Sequence, residues 1–195
     1  VTILFVVCCS IAAYRYYKNY INQEIDRIIK LVNLRGDNAE FIFYYAGHGF
    51  PDEKCKTPYL IPVDVTTSYL YNAISLDDLY FKLSNTKAKK VMVFIDACFS
   101  GGARESSLLV SRGVKVNPKI TNVSKNLVVF TATSNTQSAL PFKQQSHGMF
   151  TFYLLKKLKE TKGDITLGEL FDYVKYNVQE SSLKINSREQ TPNVI

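Results

Sequence analysis

The chain has 195 residues, 46% of them apolar, enough for one buried core and unlike a disordered or collagen-like composition. Its 24 basic and 17 acidic side chains leave a net charge of +7. No run of about 18 apolar residues suits a membrane-spanning helix, and four cysteines without a C-x-x-C pair fit neither a disulfide framework nor a thiolate zinc site.

The chain opens at Val1 rather than methionine, as a fragment or a processed form would. Its first thirteen residues, VTILFVVCCSIAA, are apolar and too short to span a bilayer. They suit a buried strand running into a helix, with the remnant of a signal-peptide core as the alternative. Ile21, Ile25, Ile28, Ile29 and Val32 follow at helical spacing, and Gly36 can end that helix. The continuous β-branched and aromatic run FIFYYAGHG (41–49) predicts a fully buried strand, and YLIPV (59–63) a further one. A helix is expected from Ser75 to Leu83, with Asp77 and Asp78 in its dipole-favoured first turn. VMVFIDA (91–97) reads as another buried strand, and LVVFTAT (127–133) as the next. Between them, residues 103–126 are polar and basic without a period and predict a long loop. Helices at about 149–160 and 167–180 complete the chain, the second opened by Thr166 and Glu169 at capping-box spacing. Strands alternating with helices imply a mostly parallel α/β sheet covered on both faces, with no internal repeat.

The charge is unevenly spread. Residues 99–162 hold ten basic and two acidic side chains, against eleven and ten in 1–98 and three and five in 163–195. A basic middle third suits a nucleic acid, an anionic membrane surface, or a role unrelated to polyanions. Tyr14, Tyr16, Tyr17 and Tyr20 could offer a stacking surface, but no arginine-rich groove or known module accompanies them, so no nucleic-acid partner is expected.

Two predicted strand ends carry reactive groups. His48 follows FIFYYAG and Cys98 follows VMVFIDA, 50 positions apart. Ligands of open parallel sheets bind beyond the strands' carboxyl ends, so both residues should face one crevice. Cysteine attacks as the thiolate, and a neighbouring imidazole can accept its proton. The amides of Gly49 and Cys98 could donate to a developing oxyanion. A lone buried cysteine or histidine is ordinarily structural, and Cys8, Cys9 and Cys55 are read that way. The conjunction at Cys98 and His48 favours chemistry.

Tyr45-Ala46-Gly47-His48-Gly49 resembles the histidine motif of the caspase and metacaspase superfamily of cysteine peptidases, and Asp96-Ala97-Cys98-Phe99-Ser100-Gly101 resembles the metacaspase nucleophile motif. Tyr59–Asp64, VVFTATSNTQSA and His147–Thr151 are similar, in the same order, to bacterial caspase-like proteins. The resemblance spans roughly 37–193. It implies a caspase-like three-layer α/β fold and a single catalytic domain over 1–195, with the family's opening strand and helix truncated or divergent. It also implies Cys98 as nucleophile, His48 as general acid and base, and an acyl-enzyme cycle without a cofactor. Asp96 replaces the glutamine of true caspases, and in metacaspases the matching acidic residue helps hold a basic P1 side chain. Cleavage after Arg or Lys is therefore expected, with a strand-end cap on nearby amides as the alternative role of Asp96.

Further expectations follow from the resemblance. Ser134, Asn135 and Gln137 are candidates for the substrate cleft or for a turn. His147 is read as structural. Asp77, Asp78 and Glu105 lie where some metacaspases bind an activating calcium, although a helix-start pair plus a loop charge is the favoured reading. The partner is a peptide or protein substrate. A non-catalytic interaction module of the same fold and a polyanion-binding domain are the rivals. A cytoplasmic location is favoured, or a secreted or periplasmic one if a signal peptide precedes Val1. The basic residues of 103–126 suit a processing loop that the enzyme itself would cut.

Overall fold

The computed structural model describes residues 2–8, 17–51, 57–62, 73–99, 124–134, 137–142 and 145–195. The predicted loop at 103–126 lies outside them except for its last three residues, as do Cys9, Cys55, Glu105 and Asn135.

The apolar opening forms β1 (Thr2–Cys8), followed by α1 (Tyr17–Arg35). Ile21, Ile25, Ile28 and Val32 of α1 are buried at the predicted helical spacing. Next come β2 (Glu40–Ala46), β3 (His48–Pro51), β4 (Pro58–Ile61), β5 (Ile74–Ser75) and α2 (Leu76–Ser84). The central β6 (Lys90–Asp96) and β7 (Leu127–Thr131) precede two short strands, β8 (Pro141–Phe142) and β9 (His147–Gly148). Helices α3 (Met149–Thr161) and α4 (Leu167–Asn186) lead to β10 (Asn193–Val194).

The main sheet has the order β1-β2-β6-β7-β10. Its first four strands are parallel, and β10 pairs antiparallel with β7. Alternation of side chains across this sheet divides the core in two. Phe41, Phe43, Tyr45, Val91, Val93 and Ile95 face α1 and α2. Met92, Phe94, Phe130, Ile42 and Tyr44 face α3 and α4. The result is the expected α/β arrangement of three layers.

Two sequence readings change. The run 41–49 is not one strand: β2 ends at Ala46, and β3 turns away to join β4 and β5 in a separate antiparallel sheet. Nor is β2 buried throughout, since Ile42 and Tyr44 are only partly covered by the second helix layer, whereas β6 is buried at every position after Lys90. The 59–63 run supplies the expected strand, β4, which belongs to the small sheet.

Helix ends follow local chemistry. Ser75 caps α2 by accepting the Asp78 N–H. Thr166 and Glu169 form the predicted capping box on α4, each side chain meeting the other's backbone N–H. Helix α4 runs to Asn186, six residues past the sequence reading, and stops where Ser187 adopts φ 50°.

Candidate active site

Parallel register sets the site. Strands β2 and β6 pair residue for residue from Glu40↔Lys90 to Ala46↔Asp96, a constant offset of 50. His48 and Cys98 each lie two residues beyond the last pair, so the spacing seen in the sequence is the register of two neighbouring strands. The ladder continues one step as Gly47 N–H donates to the Asp96 carbonyl (3.1 Å). Gly49 then lies directly on the chain just past β6: a Cβ there would stand 2.6 Å from the Cys98 carbonyl oxygen and 2.5 Å from the Phe99 ring. Only glycine permits this approach.

His48 is exposed, and its backbone is anchored. The buried Tyr45 hydroxyl shares its one proton between the carbonyl oxygens of His48 (2.8 Å) and Ile61 (3.0 Å), tying the turn after β2 to β4. Cys98 is 6% exposed. Its Sγ accepts the Ala139 N–H at 2.8 Å and lies 3.5 Å from the Ala139 carbonyl oxygen.

Asp96 is 1% exposed and faces the start of α3. Its Oδ2 accepts the Thr151 hydroxyl (2.6 Å) and the Thr151 N–H (3.4 Å). Gly148, the N-cap of α3, has no side chain to cap that helix, and a Cβ there would fall 2.2 Å from Asp96 Oδ2. The carboxylate of a neighbouring strand thus takes the place of the N-cap side chain, against the positive end of the helix dipole. Thr151 has one hydroxyl proton and gives it to Asp96, so Tyr44 donates to the Thr151 oxygen (2.7 Å). One chain of hydrogen bonds joins β2, α3 and β6.

The remaining candidates separate. Ser134 donates to Gln137 Oε1 (3.3 Å) and its carbonyl accepts the Gln137 N–H (3.2 Å), closing a turn after β7. His147 is exposed in β9, paired with Phe142. Asp77 and Asp78 occupy the first turn of α2; burial, then the Asp78 charge, hold the Asp77 carboxyl above its ordinary value. Among the described residues no three His, Cys, Asp or Glu side chains cluster as a metal site. Sequence reasoning gave no role to Tyr45, Thr151, Ala139 or Gln190, although the first three lie in segments that carry the resemblance.

A sheet whose neighbouring strands deliver a histidine and a cysteine to one edge, between two helix layers, has the layout of a caspase-like α/β protein. The chain belongs to the caspase-domain family of C14 cysteine peptidases, whose family model matches residues 13–195. Solved structures of similar fold include caspase-1 from Spodoptera frugiperda (TM-score 0.63, 16% identity, 92% of this chain and 69% of that one). A structural-genomics target from Geobacter sulfurreducens is also similar (TM-score 0.62, 19% identity, 89% and 72% covered). No curated protein matches the sequence significantly. Among the described residues no helix is long and apolar enough to cross a membrane.

Proposed function

We propose that the chain is a cysteine endopeptidase, with Cys98 as nucleophile and His48 as general acid and base. The observation carrying this reading is the β2–β6 register, which brings the two residues level with Gly49 seated on the Cys98 carbonyl. His48 takes the thiol proton, and the thiolate attacks the substrate carbonyl carbon. The amides of Gly49 and Cys98 donate to the oxyanion; losing one such donor typically costs about 100-fold in turnover. The C–N bond then breaks, His48 returns the proton to the leaving amine, and water hydrolyses the acyl-enzyme. No cofactor enters these steps. Activation by calcium through Asp77, Asp78 and Glu105 would be read as a difference in rate with and without a chelator.

The finer, metacaspase-like part of the reading is preference for Arg or Lys at P1. Asp96 supplies a negative charge two residues from the nucleophile, screened less by protein than by water, which favours a cation in the adjoining cleft and disfavours an acidic side chain. Ser134 stands at the end of β7 as a candidate wall of that cleft. Arg104, Arg112, Lys115, Lys119 and Lys125 then become sites for self-cleavage within 104–125.

Parent and Cys98→Ala proteins assayed on peptides with Arg, Lys or Asp at P1 test each part. Cleavage after Arg and Lys, together with self-cleavage in 104–125, is expected in the parent and absent from the variant. Activity surviving the substitution refutes the mechanism, preference for Asp refutes the specificity, and an active parent that stays intact on a gel refutes self-processing. The low exposure of Cys98 favours a second reading, a non-catalytic interaction module. A Cys98 thiol inert to iodoacetamide at neutral pH would select it.

A further inference from the structure

We infer that Gln190 is a positioning residue for the nucleophile, acting through the backbone amide of Ala139. The inference rests on the reading of Cys98 as nucleophile. A thiol is a weak hydrogen-bond acceptor and a thiolate a strong one, so the Ala139 N–H, 2.8 Å from Cys98 Sγ, favours the reactive form, against a longer 3.5 Å bond from the thiol to the Ala139 carbonyl.

That amide belongs to the segment after β7, where among the described residues from 132 to 142 strand pairing holds Pro141 and Phe142 alone. The fixing comes from the other end of the chain. Gln190 is fully buried, and its side-chain oxygen accepts the N–H of Leu140, one residue past Ala139, at 2.8 Å. Its side-chain nitrogen donates to the Ala132 carbonyl at 2.9 Å, and its backbone N–H donates to Ser182 Oγ of α4 at 3.1 Å. One side-chain amide therefore clasps Ala132 and Leu140 together, and α4 holds the clasp. The next residue repeats the fastening, since Thr191 N–H donates to Gln137 Oε1 at 2.6 Å. Without the Gln190 amide, a buried N–H and a buried carbonyl lose their partners. Leu140 must then shift to satisfy its N–H, and the adjoining Ala139 amide is carried off the sulfur.

The test is the rate of Cys98 alkylation by iodoacetamide, read on the peptide containing Cys98, at pH 7 and again at a pH well above the ordinary thiol value of about 8.5. Gln190→Leu should slow the reaction about tenfold at pH 7 and leave it near the parent's rate at high pH, where the thiol ionises unaided. Gln190→Glu keeps an acceptor for Leu140 and should stay within about threefold of the parent. Thr166→Ala, which weakens α4 away from the turn, should react as the parent does; melting curves establish that each protein is folded. Parent-like reactivity in folded Gln190→Leu, an equal slowing at both pH values, or loss in Gln190→Glu as deep as in Gln190→Leu would each overturn the inference. Should Gln190→Leu not fold, a slowing of Gln190→Glu beyond threefold still overturns the inference. A parent Cys98 that is itself inert at pH 7 would instead strike down the nucleophile reading.

Discussion

At the scale of single residues, the site is built by close approach of backbone to side chain. Gly148 leaves room for the Asp96 carboxylate, and Thr151 holds that carboxylate with both its hydroxyl and its N–H. Gly148→Ala would place a Cβ 2.2 Å from Asp96 Oδ2, so either the carboxylate or the start of α3 must move. A loss of about 1–3 kcal/mol is expected from this overpacking, measurable as a lower urea midpoint. Thr151→Val removes the hydroxyl donor at nearly constant volume and leaves a buried carboxylate oxygen short of a partner. It should cost about 1–3 kcal/mol, with Thr151→Ser recovering most of it. Parent-like midpoints for both Gly148→Ala and Thr151→Val would show that Asp96 does not cap α3. Asp96 thereby has two tasks, a structural one seen in its hydrogen bonds and the proposed one toward a P1 cation.

At the scale of elements, helix ends carry the most local information. The capping box of α4 was legible because Thr166 and Glu169 interact within one turn, independent of the rest of the fold. Thr166→Ala should lower stability by about 1 kcal/mol at neutral pH. Hydrogen bonds from the Thr166 hydroxyl, and then its N–H, hold the Glu169 carboxyl below its ordinary value of 4.5. A depressed carboxyl stabilises the folded state above the unfolded value, and that contribution disappears as pH falls through the lower folded value. The gap between parent and Thr166→Ala should therefore be full at pH 7 and narrow below pH 4.5; a gap that widens in acid would contradict it. Strand β2 is the contrary case. Its run of apolar residues extends without a break into His48, and nothing local says that β3 leaves the main sheet. The pairing of β3 with β4, across residues distant in sequence, decides it.

At the scale of the whole molecule, two helix layers share one sheet, and burial rather than hydrophobicity ranks the side chains. Phe43 is fully buried between β2 and the α1/α2 layer, whereas Phe81 on α2 is 72% exposed. Phe43→Ala should cost about 3–5 kcal/mol and Phe81→Ala no more than about 0.5 kcal/mol, read from denaturant midpoints. Comparable losses would mean that the layer assignment is wrong. The net charge of +7 also takes its meaning at this scale. Five of its basic side chains fall in the 104–125 connection between the nucleophile strand and the next, where the proposed activity would find its own substrate.

The sequence by itself determined the α/β class and the order of the main elements, and it pointed to His48 and Cys98 as the proposed pair. Those features are written in periodicity, in caps closed within four residues and in motifs attached to strand ends. Only the tertiary structure decided that the 50-residue spacing is a strand register, that β10 returns to the edge of the sheet, and that Asp96 caps a helix 52 residues further on. It alone placed Ala139 on the Cys98 sulfur and fastened that contact with Gln190. The physical reason is range. Helical periodicity and caps act between near neighbours in the chain, whereas a buried amide or carboxylate takes whichever partner the packed layers bring within hydrogen-bonding distance, whatever its position in the sequence.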